Sequence, residues 1–324
     1  MGDSGTKLYV SKCKLKVLFQ CISCAAGTLI ADQCDFVCSG TVLRGSSSSS
    51  SFNITDSNFI LGTESSLGIS SSHGHKTSVS GCNFVNGMCG IMIDSDAICN
   101  VTKSKFTECK FGCRCRDAEI ELSRCNMLDC QKCLHSFGPK GNIQAKDCKF
   151  EKITLNCMEC TSESSIYLER CAVENSAVCA IKSTAKSKIS MVDCVFMNCN
   201  TKVIVGTGGS IITIVGCSFK SMSGNGFDFS DNVNVSMENV MFHVCSGIGI
   251  QLSRSKLQMT SCQISSVLSH CILMKQESSL AANECNFEFF NGKMIAIEDT
   301  KGCTIDGDAN DSSHQIDLQS CKKL

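Results

Sequence analysis

The chain has 324 residues, a formal net charge of −1, 28 cysteines, one proline and no tryptophan. A charge this close to zero gives no electrostatic reason to expect binding to nucleic acid or to an anionic membrane. No apolar run is long enough to span a membrane. With only two tyrosines, the chain is also poorly equipped to recognise sugars by aromatic stacking.

The first residues, 1–7, are polar and are predicted to form a leader before the first strand, which opens at Leu8. We see no signal peptide. We therefore expect a cytoplasmic protein whose thiols are reduced, whereas oxidised cysteines would indicate a secreted or surface protein. A β-structure with an open edge at this end also makes end-to-end self-association an alternative.

A phrase of roughly 23 residues recurs along the chain and is clearest at Ile189–Cys199. Its central position, which we call the ladder position, is preceded by apolar residues five and three places earlier, and Phe often follows two places later. The apolar residues alternate with the strand period of two. The ladder positions are Cys13, Cys34, Ser57, Cys82, Ser104, Cys125, Cys148, Cys171, Cys194, Cys217, Val240, Cys262, Cys285 and Cys321.

This spacing predicts a solenoid in which each repeat covers the apolar face of the next. One repeat carries two or three short strands, which favours a parallel β-helix over a leucine-rich repeat with its Leu-x-x-Leu-x-Leu pattern. We predict an all-β chain of about 13 rungs, a rung being one turn of the solenoid. A single domain over 1–324 is expected, with an irregular terminal rung at 299–324. The ladder cysteines are predicted to be small buried side chains.

The phrase resembles that of the right-handed parallel β-helix family, which has the pectate-lyase-like fold, with Cys here in place of a ladder Asn. Gly90–Ile93 and Gly247–Ile250 match the second half of the family phrase, Gly-Ile-x-apolar. The resemblance covers nearly the whole chain. It implies a fold that pectin-degrading enzymes, adhesins, phage tailspikes and recognition proteins share, so it does not fix a function.

Several motifs have the residue types of metal ligands. Three pairs of cysteines, on three consecutive predicted rungs, have a spacing at which thiolates hold zinc. They occupy the offsets of inward-facing core residues in the repeat, however, which predicts buried thiols instead. Asp306 and Asp308 resemble the start of a calcium loop but lack its later Gly and Glu. His73 and His75 flank a glycine in a predicted surface loop. The cysteines concerned are Cys113, Cys115, Cys130, Cys133, Cys157 and Cys160. No cofactor is predicted.

The residue before the ladder position alternates in charge, which predicts a stripe of ion pairs. Asp147 and Asp193 would lie two rungs apart, roughly 9.6 Å at about 4.8 Å per rung. That separation suits the acid and base of an inverting glycosidase. Arg170 between them would hold both carboxylates ionised and so deny the acid its raised pKa. We therefore treat the three as weak catalytic candidates.

The main functional prediction is a non-enzymatic scaffold that presents an elongated sheet to a macromolecular partner, most plausibly a protein. One alternative is a lyase or hydrolase that acts on an acidic polysaccharide, and another is a self-assembling, adhesin-like rod. An outward cluster of charged side chains on three adjacent rungs, beside a long loop, would favour the enzyme. The sequence shows such charges but no long loop beside them.

Overall fold

The computed structural model describes residues 6–62, 65–289, 295–298 and 302–306. These residues form 40 β-strands, and no helix occurs among them, which confirms the all-β prediction. The chain falls into two compact units, Met1–Glu159 with Glu163–Tyr167 and Cys160–Ser162 with Leu168–Leu324. The predicted leader is one residue too long, because Lys7 already lies in the first strand.

The strands in chain order are β1 (Lys7–Ser11), β2 (Lys14–Val17), β3 (Gln20–Cys24), β4 (Gly27–Asp32), β5 (Asp35–Cys38), β6 (Thr41–Gly45), β7 (Ser50–Thr55), β8 (Asn58–Leu61), β9 (Leu67–Ser71), β10 (Lys76–Ser80), β11 (Asn83–Val85), β12 (Cys89–Asp94), β13 (Ile98–Thr102), β14 (Lys105–Thr107), β15 (Phe111–Arg116), β16 (Glu119–Ser123), β17 (Asn126–Leu128), β18 (Lys132–Phe137), β19 (Asn142–Lys146), β20 (Lys149–Glu151), β21 (Asn156–Thr161), β22 (Ser165–Glu169), β23 (Ala172–Glu174), β24 (Cys179–Ser183), β25 (Lys188–Val192), β26 (Val195–Met197), β27 (Lys202–Gly206), β28 (Ile211–Val215), β29 (Ser218–Met222), β30 (Asn225–Ser230), β31 (Asn234–Glu238), β32 (Met241–Cys245), β33 (Ile250–Ser253), β34 (Lys256–Thr260), β35 (Gln263–Val267), β36 (Ile272–Lys275), β37 (Ser279–Asn283), β38 (Asn286–Phe289), β39 (Ile295–Ile297) and β40 (Thr304–Asp306).

Every third strand belongs to the same sheet, so each rung contributes one strand to each of three sheets. The first sheet contains β1, β4 and so on to β40, the second contains β2 to β38, and the third contains β3 to β39. Neighbouring strands pair in parallel, as in β12–β15 and β15–β18. This is the predicted parallel β-helix, with three strands in each rung.

Buried phenylalanines stack from rung to rung inside each unit. Neighbouring ring centroids in the first unit lie 5.0, 4.5 and 4.8 Å apart, and each ring is fully buried. Each stacked pair adds about 0.5–1.5 kcal/mol beyond the burial of its surface. The rings concerned are Phe36, Phe59, Phe84 and Phe106, and the second unit has a similar pair at Phe196 and Phe219.

The ladder side chains satisfy backbone groups at the corner between the first and second sheets. Ser57 Oγ donates to the carbonyl of Thr55 at 2.7 Å and accepts from the amide of Cys34 at 3.0 Å. A thiol fills the same place on other rungs, where the amide of Cys194 donates to Cys217 Sγ at 3.4 Å. The sulfur or hydroxyl therefore serves as a small interior hydrogen-bonding group as well as a core atom.

Within the described residues, the residue before each ladder position adopts a left-handed backbone conformation, with φ between 46° and 66°. Such a residue turns the chain sharply from one sheet to the next, and its side chain is left at the outer corner. The residues with alternating charge therefore lie at these corners. These residues are Lys12, Gln33, Asp56, Gly81, Lys103, Arg124, Asp147, Arg170, Asp193, Asn239, Ser261 and Glu284, with Gly216 in the same place.

Candidate functional site

The three candidate catalytic residues are divided between the two units. Asp147, Arg170 and Asp193 all occupy left-handed corners. Asp147 belongs to the first unit, whereas Arg170 and Asp193 belong to the second. Arg170 forms an ion pair with Glu169, its neighbour in sequence. Neither unit contains all three, and their catalytic role stays a prediction.

The candidate metal-binding cysteines line the interior of the solenoid. Cys115 Sγ donates to the carbonyl of Ala118 at 2.8 Å, and burial raises the pKa of its thiol to about 12. No group of three or more His, Cys, Asp or Glu within the described ranges is arranged to hold a metal ion. All six cysteines of the three pairs are fully buried, namely Cys113, Cys115, Cys130, Cys133, Cys157 and Cys160. Asp306 lies in β40, and Asp308 lies outside the described residues.

The two histidines that flank Gly74 have different environments. His73 is exposed, as expected of a loop. The same expectation is wrong for His75, which is fully buried and forms a 2.6 Å hydrogen bond from Nδ1 to Ser50 Oγ. The inward position follows because His75 directly precedes β10, where the chain re-enters the core.

The third sheet of the first unit carries a group of aromatic and charged side chains on its outer face. They come from β15, β18 and β21, which are the third-sheet strands of three successive rungs. Its guanidinium and ammonium groups carry two positive charges and its carboxylate carries one negative charge, so the group has a surplus of positive charge. We call it the cationic cluster, and it consists of Phe111, Arg114, Lys132, His135, Phe137 and Glu159.

The alternation of β15 aims Arg114 outward. Cys113 and Cys115, its immediate neighbours, are fully buried, so the residue between them must face solvent. Gly112 lets this strand lie close to the next rung, since a Cβ there would lie 2.6 Å from Met127 Sδ. Arg114 pairs in register with His135 on β18. The alternation and the register therefore place Arg114 beside His135 on the outer face.

The Arg114 guanidinium lies between two aromatic rings. Its central carbon is 5.3 Å from the ring centroid of Phe111 and 4.8 Å from that of Phe137, within the range of cation–π attraction. Its Nε is buried without a hydrogen-bond partner. No anionic side chain pairs with Arg114 in the described part of the chain. The rings therefore hold a cation whose terminal nitrogens remain available to an external anion.

His135 lies beside this cation in a partly buried position. Its ring stacks on Phe137 at 5.0 Å and on Phe111 at 5.7 Å. Burial lowers the pKa of His135 to about 4, the Glu159 carboxylate raises it, and Arg114 and Lys132 lower it further. The imidazole is therefore neutral near pH 7. Because Nδ1 is buried and unbonded, Nε2 is the nitrogen that a ligand can reach.

Lys132 and Glu159 form an ion pair at the edge of the same group. The Lys132 ammonium also lies 5.6 Å from the Phe111 ring centroid. The two side chains are only 22% and 11% exposed, so their charges are partly shielded from water. Since this pair is internally neutral and His135 is uncharged, the guanidinium of Arg114 supplies the surplus positive charge.

A concave cleft of about 370 Å³ adjoins the cationic cluster at the corner between the second and third sheets. Lys110 and Gln131 line it, and they directly precede Phe111 and Lys132, so only about 3.3 Å of strand separates the two features. The volume lies at the lower end of the range for ligand sites. We call it the corner cleft, and it is lined by Leu61, Gly62, Asn86, Gly87, Glu108, Lys110 and Gln131.

The cationic cluster was not among the sequence-based candidates, although part of its signal is present in the sequence. If Cys113 and Cys115 face inward, Arg114 between them must face outward. The phrase Cys130-x-x-Cys133 likewise contains Lys132 at an outward position. The sequence could not show that Phe137 and Phe111 enclose Arg114, because that contact joins different rungs.

The fold identifies the family of the chain. A family model described as a right handed beta helix region matches residues 39–188 and 135–268, which together exceed half of the chain. The chain belongs to the right-handed β-helix family. This confirms the resemblance found in the repeat. No curated protein matches the sequence.

Three solved structures illustrate what the chain is similar to. The catalytic unit of an α-1,3-glucanase from Streptomyces thermodiastaticus has a TM-score of 0.60 at 9% identity, and the match covers 87% of this chain and 62% of that one. The A-module of a mannuronan C-5 epimerase from Azotobacter vinelandii has a TM-score of 0.40 at 12% identity, covering 87% and 86%. A family 28 exopolygalacturonase from Yersinia enterocolitica has a TM-score of 0.41 at 6% identity, covering 100% and 74%.

The comparisons contradict the main functional prediction. The α-1,3-glucanase unit is named for an enzyme that acts on a polysaccharide, and the non-enzymatic scaffold is therefore corrected in favour of the enzyme alternative. The predicted protein partner has no support from them. The chain spans less than two thirds of the length of the glucanase unit. Within the described residues, no helix is long and apolar enough to cross a membrane.

Proposed function

We propose that this protein is an enzyme that cleaves an acidic polysaccharide at the cationic cluster, with a uronate carboxylate bound by Arg114. The carrying observation is a guanidinium held between Phe111 and Phe137 without an anionic partner among the described residues. A planar guanidinium matches the two oxygens of a carboxylate. The likeness to the polysaccharide-acting glucanase supports an enzyme of this class.

The chemistry of the cluster favours elimination over hydrolysis. Hydrolysis of a glycoside uses two carboxyl groups, one of which must have a raised pKa to act as an acid. Glu159 is paired with Lys132. On the same face, the hydrogen bond from Arg116 lowers the pKa of Asp94. Both carboxylates are therefore stabilised in their ionised form. Neither can serve as the proton-donating acid that hydrolysis requires.

Elimination needs a base and a cation instead. Arg114 neutralises the uronate carboxylate, which acidifies the adjacent C–H bond, and Nε2 of neutral His135 accepts the proton. The released electron pair forms a C=C bond while the C–O bond to the neighbouring sugar breaks, and water protonates the departing oxygen. The bound carboxylate raises the pKa of His135 toward the working pH, as a nearby negative charge does.

An assay on a panel of acidic polysaccharides tests the proposal. A lyase gives an unsaturated product that absorbs ultraviolet light, whereas a hydrolase gives only new reducing ends. Arg114→Gln removes charge-assisted hydrogen bonds worth about 3 kcal/mol, or about 100-fold in kcat/KM. The matched control is Arg254→Gln, which removes an exposed ion pair with Asp231 in the second unit.

We expect the control to retain wild-type activity and Arg114→Gln to lose it with an unchanged melting temperature. Absence of cleavage on every uronate polymer tested would refute the proposal. Equal activity in Arg114→Gln and the wild type would refute the assignment of the site. Reducing ends without an unsaturated product would replace elimination by hydrolysis.

A further inference from the structure

The corner cleft carries exposed polar side chains that have no partner among the residues the structure describes. Asn86, Glu108, Lys110 and Gln131 face the cleft, and none of these side chains makes a hydrogen bond or ion pair within the described ranges. Arg116, on the same sheet as the cluster, is by contrast paired with Asp94. A groove with four unpaired polar groups is suited to an external ligand.

The chemistry of these four groups matches sugar hydroxyls. A carboxylate only accepts hydrogen bonds, an ammonium only donates them, and each amide does both. A hydroxyl can satisfy every one of them because it is both donor and acceptor. The corner positions of Asn86 and Glu108, with φ of 65° and 56°, place both side chains on the outside of the turn.

The charge of the cleft differs from that of the cationic cluster. Glu108 and Lys110 together give the cleft no net charge, so it has no surplus positive charge for a carboxylate, and no ion pair joins the two within the described ranges. A sugar carboxylate bound there would lie near the Glu108 carboxylate, and the two negative charges would repel each other. The cluster, only one residue farther along β15 and β18, has the surplus charge of Arg114.

We propose that the corner cleft is a subsite for a neutral, hydroxyl-bearing sugar next to the uronate held at Arg114, which makes the substrate a heteropolysaccharide of uronate and neutral sugar. This inference rests on the proposed function, and it specifies the substrate class. Glu108 is a specificity-determining residue that rejects a second uronate. Gly87 keeps the cleft wall low, since a Cβ there would lie 2.5 Å from Leu61 Cβ.

Two polymers separate this substrate class from its alternative. Polygalacturonate carries a carboxylate on every sugar, whereas hyaluronan alternates a uronate with a neutral amino-sugar derivative. Binding of size-matched oligosaccharides of each is measured by calorimetry, together with cleavage of the polymers. We expect the alternating ligand to bind and react about threefold better, the scale of one unfavourable contact between exposed charges.

Charge removal at the cleft gives the decisive comparison. Glu108→Gln is expected to improve binding of the polygalacturonate oligosaccharide about threefold and to leave hyaluronan binding almost unchanged. Lys110→Met should weaken both by removing a donor. Glu121→Gln is the control, because Glu121 is exposed on the first sheet, away from the cleft. Circular dichroism confirms that each variant is folded.

The outcomes distinguish the two proposals. Equal cleavage of both polymers by the wild type would overturn the substrate inference and leave the enzymatic function standing. Selective binding of the alternating ligand without cleavage would support the subsite and overturn the enzymatic function. An unchanged preference in folded Glu108→Gln, or no binding of either oligosaccharide, would overturn the inference.

Discussion

His75 is a buried base whose protonation should destabilise the first unit. Ser50 Oγ donates its proton to the carbonyl of Ser47 at 2.8 Å, so it must accept from His75 Nδ1. Nε2 is then the unprotonated nitrogen, and it is buried without a partner. The adjacent Phe52 ring, 4.4 Å away by centroid, adds no acceptor. A proton on Nε2 would therefore place an uncompensated charge in the core.

The size of the effect follows from the pKa of His75, which burial lowers from 6.5 to about 4 against an opposing interaction with the Ser47 backbone. The unfolded chain binds this proton below pH 6.5 and the folded chain only near pH 4. Stability from neutral His75 is therefore complete above pH 6.5 and is lost as the pH falls. Proton linkage gives a loss of about 2 kcal/mol at pH 5 and about 3 kcal/mol below pH 4.

Urea unfolding at pH 7.5 and pH 5.0 measures this loss. His75→Asn keeps a polar group beside Ser50 but removes the titration, so it should lose about 2 kcal/mol less than the wild type between the two pH values. His73→Asn is the control, since His73 is exposed, and it should behave as the wild type. An identical pH dependence in His75→Asn and the wild type would show that the reasoning is wrong.

Four further results are expected. Phe106→Ala should reduce the free energy of unfolding by about 4 kcal/mol in urea, because it opens a cavity in a fully buried stack; a loss below 1 kcal/mol would contradict the stack. Gly112→Ala should lower the free energy of unfolding by about 2 kcal/mol, since the added Cβ would lie 2.8 Å from the Cys133 carbonyl oxygen. An unchanged melting temperature would argue against this close approach. His135→Gln should lower kcat/KM for cleavage by at least about 100-fold, and the acid limb of kcat/KM in the wild type should lie near pH 4; the same limb in the residual activity of His135→Gln would exclude His135 as the base. In guanidinium, nearly all 28 thiols should react without reductant, as the cytoplasmic location inferred from the sequence requires, whereas thiols seen only after reduction would refute that location.

Much of the fold could be predicted because its information is local and repeated. The alternation around each ladder position predicts strands, and the constant spacing predicts parallel stacking. The inward position of Cys113 and Cys115 also followed from their offsets. His75 was misplaced because the sequence of a corner does not show at which residue the chain re-enters the core.

The repeat, the sheet-forming alternation and the identity of the buried ladders can be read from the amino-acid order, since each depends on neighbours within a few residues. The position of Arg114 between Phe111 and Phe137, with His135 beside it, becomes visible only in the folded chain. Those contacts depend on the register between rungs, and a slip of one residue would turn every side chain of a strand to the opposite face. Because the chemistry arises from side chains on adjacent strands, it exists only once the rungs are stacked.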